Sequence, residues 1–163
     1  GRNVARIAKG FGMEVFAFDP YCPASVMEAE GVKPITDINE LYSTCQYVSL
    51  HIPATNETKK SINYALLKQM PKGAMLINTA RKEVINEEEL VQIMDERPDF
   101  RYVSDITPDN ASVFAEKFTG RYFFTPKKMG AQTAEANINA GIAAAKQSVG
   151  FLKEGIDKFK VNK

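Results

Sequence analysis

The 163 residues are 44% hydrophobic and 25% charged, the balance of one ordinary globular domain and not of a disordered tail or a fibre. Twenty-one Lys and Arg stand against twenty Asp and Glu, so a net charge of +1 supplies no bulk attraction for nucleic acid or for an anionic membrane. His51 is the only histidine, which closes any mechanism that needs two imidazoles and any His-rich metal site.

Val4, Ile7, Ala8 and Phe11 recur at i, i+3, i+4 and i+7, the apolar face of a helix that opens at the first residues and stops at Gly10 and Gly12. Residues 15–18, Val-Phe-Ala-Phe, bounded by Asp19-Pro20, read as a strand buried on both faces. Short helices over 24–30 and 38–42 precede a strand over 47–50, which Pro53 ends. A helical stretch over 66–70 leads through the turn Pro71-Lys72-Gly73 into a strand over 75–77. Asn86 caps a helix running to about Glu96, with Glu87, Glu88 and Glu89 at its positive N-terminal end. Strands over 102–104 and 122–124 follow, then one long, closely packed, Ala-rich helix from Gln132 to Glu154 and a basic, frayed tail over 158–163.

Short apolar strands alternating with helices call for a doubly wound α/β fold, a parallel sheet covered on both faces by right-handed crossovers. A helix at residue 1 lacks the strand that should precede it, so the expectation is a chain that has lost its first strand. Residues 1–154 would form the domain and 155–163 a tail leaving it. Cys22 and Cys45 belong to no CxxC pair and read as buried or partly buried thiols without a metal or redox role. With no signal-like start and no apolar run approaching the ~20 residues of a membrane span, the expected location is cytoplasmic.

Gly1, a helix, and a strand ending in Asp19 eighteen positions later match the second half of a dinucleotide-binding unit. There a glycine turn lets backbone approach pyrophosphate, the helix N-terminus offers unsatisfied N–H groups, and the acidic residue holds ribose hydroxyls. Asp19 would repel a 2′-phosphate, favouring NAD over NADP. Asp19-Pro20 fits a plain strand-ending turn equally well. Further along, His51-Ile52-Pro53-Ala54-Thr55-Asn56-Glu57-Thr58, Asn78-Thr79-Ala80-Arg81, Asp105 and Thr125-Pro126-Lys127 each follow a strand at its carboxyl end, where ligands bind in open α/β sheets.

Together, in this order and spacing, these segments resemble the nucleotide-binding domain of the D-isomer-specific 2-hydroxyacid dehydrogenases, a Rossmann-like fold, over essentially the whole chain. The resemblance implies NAD as cofactor, a small 2-hydroxy or 2-keto acid as substrate, no nucleic-acid or membrane partner, and a homodimer. It implies that Arg81 binds the substrate carboxylate and polarises the reacting carbonyl, a role suited to a planar, permanently charged fork. It places Gly1, Arg2, Asn3, Asp19, Pro20, His51, Ile52, Pro53, Thr58, Thr79, Ala80 and Asp105 around the cofactor, with Asp105 near the carboxamide. His51 fits a structural histidine equally well, Thr58 an ordinary loop hydroxyl, and Asn78 a turn cap.

Two departures from the family pattern matter. Where most relatives have histidine after Thr-Pro this chain has Lys127, and where they have a glutamate five residues beyond the aspartate it has Asn110, with Asp109 beside it. A histidine needs a carboxylate to fix its tautomer, whereas an ammonium has no tautomer to fix, so losing both partners together is coherent with Lys127 as acid/base. The chain then resembles the subgroup with lysine in histidine's place. A free lysine has a pKa of ~10.4, so the ammonium needed as proton donor for reduction is already present at neutral pH. The alternatives are a glyoxylate or hydroxypyruvate reductase, and a non-catalytic, NAD-responsive scaffold.

Overall fold

In the computed structural model, which describes residues 1–128, 130 and 133–158, the chain falls into two units, Gly1–Pro126 and Lys127–Lys163. The first runs α1 (Arg2–Gly10), β1 (Phe16–Ala17), α2 (Ala24–Ala29), β2 (Lys33–Pro34), α3 (Ile38–Thr44), β3 (Tyr47–Leu50), α4 (Tyr64–Leu67) and β4 (Met75–Asn78). A 3-10 turn over Lys82–Val84, α5 (Glu87–Glu96), β5 (Arg101–Ser104), α6 (Ala111–Lys117) and β6 (Tyr122–Phe124) complete it. The second unit contains α7 (Ala134–Glu154). The start of the long helix at Gln132 and the tail beyond Lys158 lie outside the described residues.

All strand pairs are parallel, as the strand-helix alternation requires, but they form two sheets. One is β1-β2 and the other is β3-β4-β5-β6 in chain order. In the larger sheet Leu50, Asn78 and Ser104 stand in register across its last full row. Its inward positions are buried: Val48 and Leu50 on β3, Leu76 and Asn78 on β4, Tyr102 and Ser104 on β5. Leu67 of α4, Leu90, Ile93 and Met94 of α5 and Phe114 of α6 are buried in the same core. At the far side Phe114 meets Tyr102, Phe118, Tyr122 and Phe124 with ring centroids 5.2–5.9 Å apart, mostly edge to face, the geometry aromatic quadrupoles favour.

Several expectations are corrected. The run over 15–18 is not a strand buried on both faces: only Phe16 and Ala17 are extended and the whole run is half-buried, because a sheet of two short strands covers little. Its partner β2 goes unread in the sequence, since Lys33-Pro34 carries no strand signal. Proline is accommodated because Lys33 and Ile35 donate to Val15 and Ala17, leaving the Pro34 nitrogen on the side that needs no donor. Helix α1 has the predicted apolar stripe, yet Val4, Ile7 and Phe11 are exposed. Helix α7 is not closely packed: none of its residues is buried.

At the amino ends of β4 and β5 the two preceding loops are joined through one arginine. Arg97 donates to the carbonyls of Met70 and Pro71 at 2.7 Å each and pairs with Asp99 at 2.7 Å, while Gly73 N–H donates to Asp99 at 2.6 Å. Gly73 has φ 74°, the left-handed conformation that makes the predicted Pro71-Lys72-Gly73 turn a glycine turn.

Candidate functional site

Because β3 and β4 are parallel and paired Leu50 to Asn78, the segments that follow them leave the sheet side by side. Residues 51–54 and 79–81 together line a cavity of about 530 Å³. His51, Ile52, Pro53, Thr79, Ala80 and Arg81, expected around one ligand, are therefore brought together, and Ala54 joins them.

Asn78 builds the second wall. Fully buried in the last sheet row, its Nδ2 donates to the Arg81 carbonyl at 3.0 Å and its Oδ1 accepts from Ala80 N–H at 3.0 Å. The Ser104 hydroxyl donates to the Asn78 carbonyl at 3.0 Å and accepts from Ile106 N–H. Of the readings open for Asn78, the cap is the one the geometry displays, and the turn it caps carries Arg81. The Arg81 side chain is exposed, its Nη1 donates to the Ala80 carbonyl at 3.0 Å, and among the described residues no carboxylate pairs with it.

On the first wall, His51 Nε2 lies 3.0 Å from the Ser49 hydroxyl. Partial burial of the ring pushes its pKa below the ordinary value, favouring the neutral imidazole. Gly1 packs beside it: a Cβ on Gly1 would stand 3.7 Å from the His51 ring. The first main-chain bond of α1 runs from Ala5 N–H to Gly1, so the N–H groups of Arg2, Asn3 and Val4 have no partner within the helix. Glycine, helix start and His51 loop thus share one neighbourhood. Asp19 and Pro20 lie exposed beyond the end of β1. One Asp19 oxygen accepts from Tyr21 N–H at 2.9 Å, so this residue does make the strand-ending turn.

Thr58 does not line the cavity. Its hydroxyl donates to the Pro53 carbonyl at 2.6 Å and accepts from Thr55 N–H at 2.7 Å, closing the 53–58 loop on itself and steadying the residues that do line it. Asp105 follows β5, half-buried, its N–H donating to the Asn78 carbonyl at 3.2 Å. Lys127 belongs to the second unit, where it is exposed.

Sequence reading missed Glu87 as more than a helix-start charge. Its Oε2 accepts from the main-chain N–H of Asp109 at 2.9 Å and of Asn110 at 3.3 Å, and its own carbonyl accepts from Asn110 Nδ2 at 3.2 Å. Lys82 Nζ meets Asp109 Oδ1 at 2.6 Å. Asp109, the acidic neighbour of the position where the family has its glutamate, is thus engaged by Lys82, and Asn110 is turned toward Glu87. A partner 22 or 23 residues away leaves no periodic trace in a sequence.

The lining fits a flat cofactor: apolar Ile52, Pro53, Ala54 and Ala80 beside a few polar groups, in a cavity within the roughly 300–1,000 Å³ usual for such sites. Comparison with known proteins agrees. Residues 1–122 match the family model described as D-isomer specific 2-hydroxyacid dehydrogenase, NAD binding domain. The chain is 37% identical over 168 residues to a chloroplastic D-3-phosphoglycerate dehydrogenase of Arabidopsis thaliana, covering 99% of this chain and 26% of that protein. It is 32% identical to the D-3-phosphoglycerate dehydrogenase of Methanocaldococcus jannaschii, covering 99% and 31%. Among solved structures, NAD+-bound 3-phosphoglycerate dehydrogenase of Entamoeba histolytica matches with a TM-score of 0.88 and 47% identity, over 100% of this chain and 51% of that one. The apo D-lactate dehydrogenase of Escherichia coli matches with a TM-score of 0.75 and 28% identity, over 93% and 48%. The chain spans about a quarter to a third of the length of these curated relatives and about half of the solved chains. It belongs to the D-isomer-specific 2-hydroxyacid dehydrogenase family, as the NAD-binding domain.

Proposed function

We propose that the whole protein interconverts a D-2-hydroxy acid and its 2-keto acid, with 3-phosphoglycerate and 3-phosphohydroxypyruvate as the pair. The observation that carries this reading is Arg81: an exposed guanidinium at the rim of the cavity, its main chain held by a buried asparagine, with no carboxylate partner among the described residues. Such a group grips a substrate carboxylate through two parallel hydrogen bonds and polarises the adjacent carbonyl. His51, Ile52, Pro53, Thr79 and Ala80, with Gly1, Arg2 and Asn3 at the helix start and Asp19 and Pro20 beyond β1, would hold NAD; Asp105 would lie toward its carboxamide and Thr58 steadies the loop. NAD, when bound, supplies the hydride acceptor for oxidation and the donor for reduction. Lys127 takes the hydroxyl proton in oxidation and returns one to the carbonyl oxygen in reduction. The relatives named phosphoglycerate dehydrogenase support the phosphorylated substrate; the likeness to a D-lactate dehydrogenase supports a second reading, an unphosphorylated 2-keto acid. A homodimer in the cytoplasm completes the proposal.

The test is NADH oxidation by the whole protein with 3-phosphohydroxypyruvate, hydroxypyruvate, glyoxylate and pyruvate. A preference for the phosphorylated acid is expected; NADH binding without turnover of any of them would leave the scaffold reading standing. Lys127→Ala is expected to lower turnover by about 10²-fold or more, the usual share of general acid–base catalysis. In the oxidative direction the wild-type rate should rise into alkaline pH. A variant that kept most of its turnover, or an acid optimum followed by a plateau, would remove Lys127 from the role.

A further inference from the structure

We propose that Glu87 is a positioning residue for Arg81, a latch that ties the segment after β4 to the turn after β5. The proposal rests on the reading of Arg81 given above.

A guanidinium meets a ligand in one fixed pose only if the segment that carries it is held, and Arg81 lies on the segment after β4, which forms one wall of the cavity. β4 and β5 are in register up to Asn78 and Ser104, but beyond that row the ladder ends and residues 79–87 and 105–110 must be joined by other contacts. Four do so. Glu87 Oε2 accepts from the N–H groups of Asp109 and Asn110, the Glu87 carbonyl accepts from Asn110 Nδ2, and Lys82 Nζ pairs with Asp109 Oδ1. Lys82 is the residue next to Arg81, so a tether at Lys82 and another at Glu87 bracket the 3-10 turn that Arg81 opens. From the other side the same stretch is tied to the loop after β3, where Lys60 N–H donates to the Glu83 carbonyl and Ile62 bridges Ile85.

Glu87 does this at a disadvantage. Burial pushes its carboxyl above the ordinary range and the Asp109 charge adds to the push, while the N–H groups of Asn110 and Asp109 and the Lys82 ammonium oppose it. A carboxylate carried into a half-buried place and met by two main-chain donors fixes backbone, because amide N–H groups cannot swing away as side chains can. Glu88, the next residue in the first turn of α5, is exposed, so the helix start does not itself require a buried charge.

The experiment is steady-state kinetics on the whole protein with Glu87→Ala and Glu87→Gln, beside thermal unfolding and amide hydrogen exchange at Asp109 and Asn110. Glu87→Ala is expected to raise KM for the 2-keto acid about tenfold with kcat changed less than threefold. Glu87→Gln, which keeps one acceptor oxygen, should recover part of the loss. Exchange at both amides should quicken in Glu87→Ala. A lowered melting temperature with KM unmoved, or a fall in kcat alone, would overturn the assignment. Should the wild-type protein reduce no 2-keto acid, the functional reading fails by itself, and amide exchange still decides the latch: unchanged protection in Glu87→Ala overturns it.

Discussion

Individual side chains settle what the site can do. Arg81 owes its usefulness to Asn78, whose amide spends one donor and one acceptor on the two residues after it. An aspartate there would put an uncompensated charge into the core, and an alanine would leave the Arg81 carbonyl and Ala80 N–H without their partner. Lys60 is the one described non-glycine residue in the left-handed region, at φ 53°. Its N–H bond to Glu83 survives loss of the side chain, so Lys60→Gly removes a Cβ clash and keeps the bond. Lys60→Gly is expected to stabilise the chain by about 0.5–1 kcal/mol, read as a rise of about 2–3 °C in Tm. A fall in Tm would mean that the lysine side chain contributes more than its backbone strain removes. The residues around the cavity were readable because each follows an apolar strand directly. Glu87 was not, because its partners come from another strand-helix unit.

At the scale of elements, the two ends of the central strands β4 and β5 are held by different means. The carboxyl ends, beside the cavity, are tied by the buried Asn78 side chain and the Glu87 latch, the amino ends by Arg97 and Asp99. The Arg97 guanidinium and the Gly73 N–H hold the Asp99 carboxyl at a pKa of about 2, below the ordinary 3.8. A carboxyl depressed in the folded state adds stability that is full above its unfolded value, near pH 4, and is lost as pH falls toward 2. Asp99→Asn should therefore unfold at lower urea than wild type at neutral pH, by about 1–2 kcal/mol, with the difference shrinking between about pH 4 and pH 2. A difference that persisted unchanged at pH 2 would show that the charge is not its source. β2 and α6 were passed over for the same kind of reason: Lys33-Pro34 and Ala111–Lys117 have little periodicity of their own, and they are placed by β1 and by the aromatic cluster around Phe114.

Over the molecule as a whole, stability is unevenly spread. The core of the first unit lies between the large sheet and α4, α5 and α6, whereas in the second unit α7 has no buried residue and is capped by Thr133 and by Gly155 at φ 65°. Amides over 134–154 in the 163-residue chain are thus expected to exchange orders of magnitude faster than those of β4 and β5; equal protection would show the helix to share the cooperative core. No described helix is long and apolar enough to cross a membrane. The sequence by itself determined the fold class, the direction of the strands and the gathering of His51, Ile52, Pro53, Thr79, Ala80 and Arg81 at one edge, because those follow from local periodicity and from the rule that parallel strands end on the same side. Only the tertiary structure decided that the strands divide into two sheets, that Asn78 aims the arginine turn, and that Glu87 joins two loops, because each depends on contacts between groups far apart along the chain.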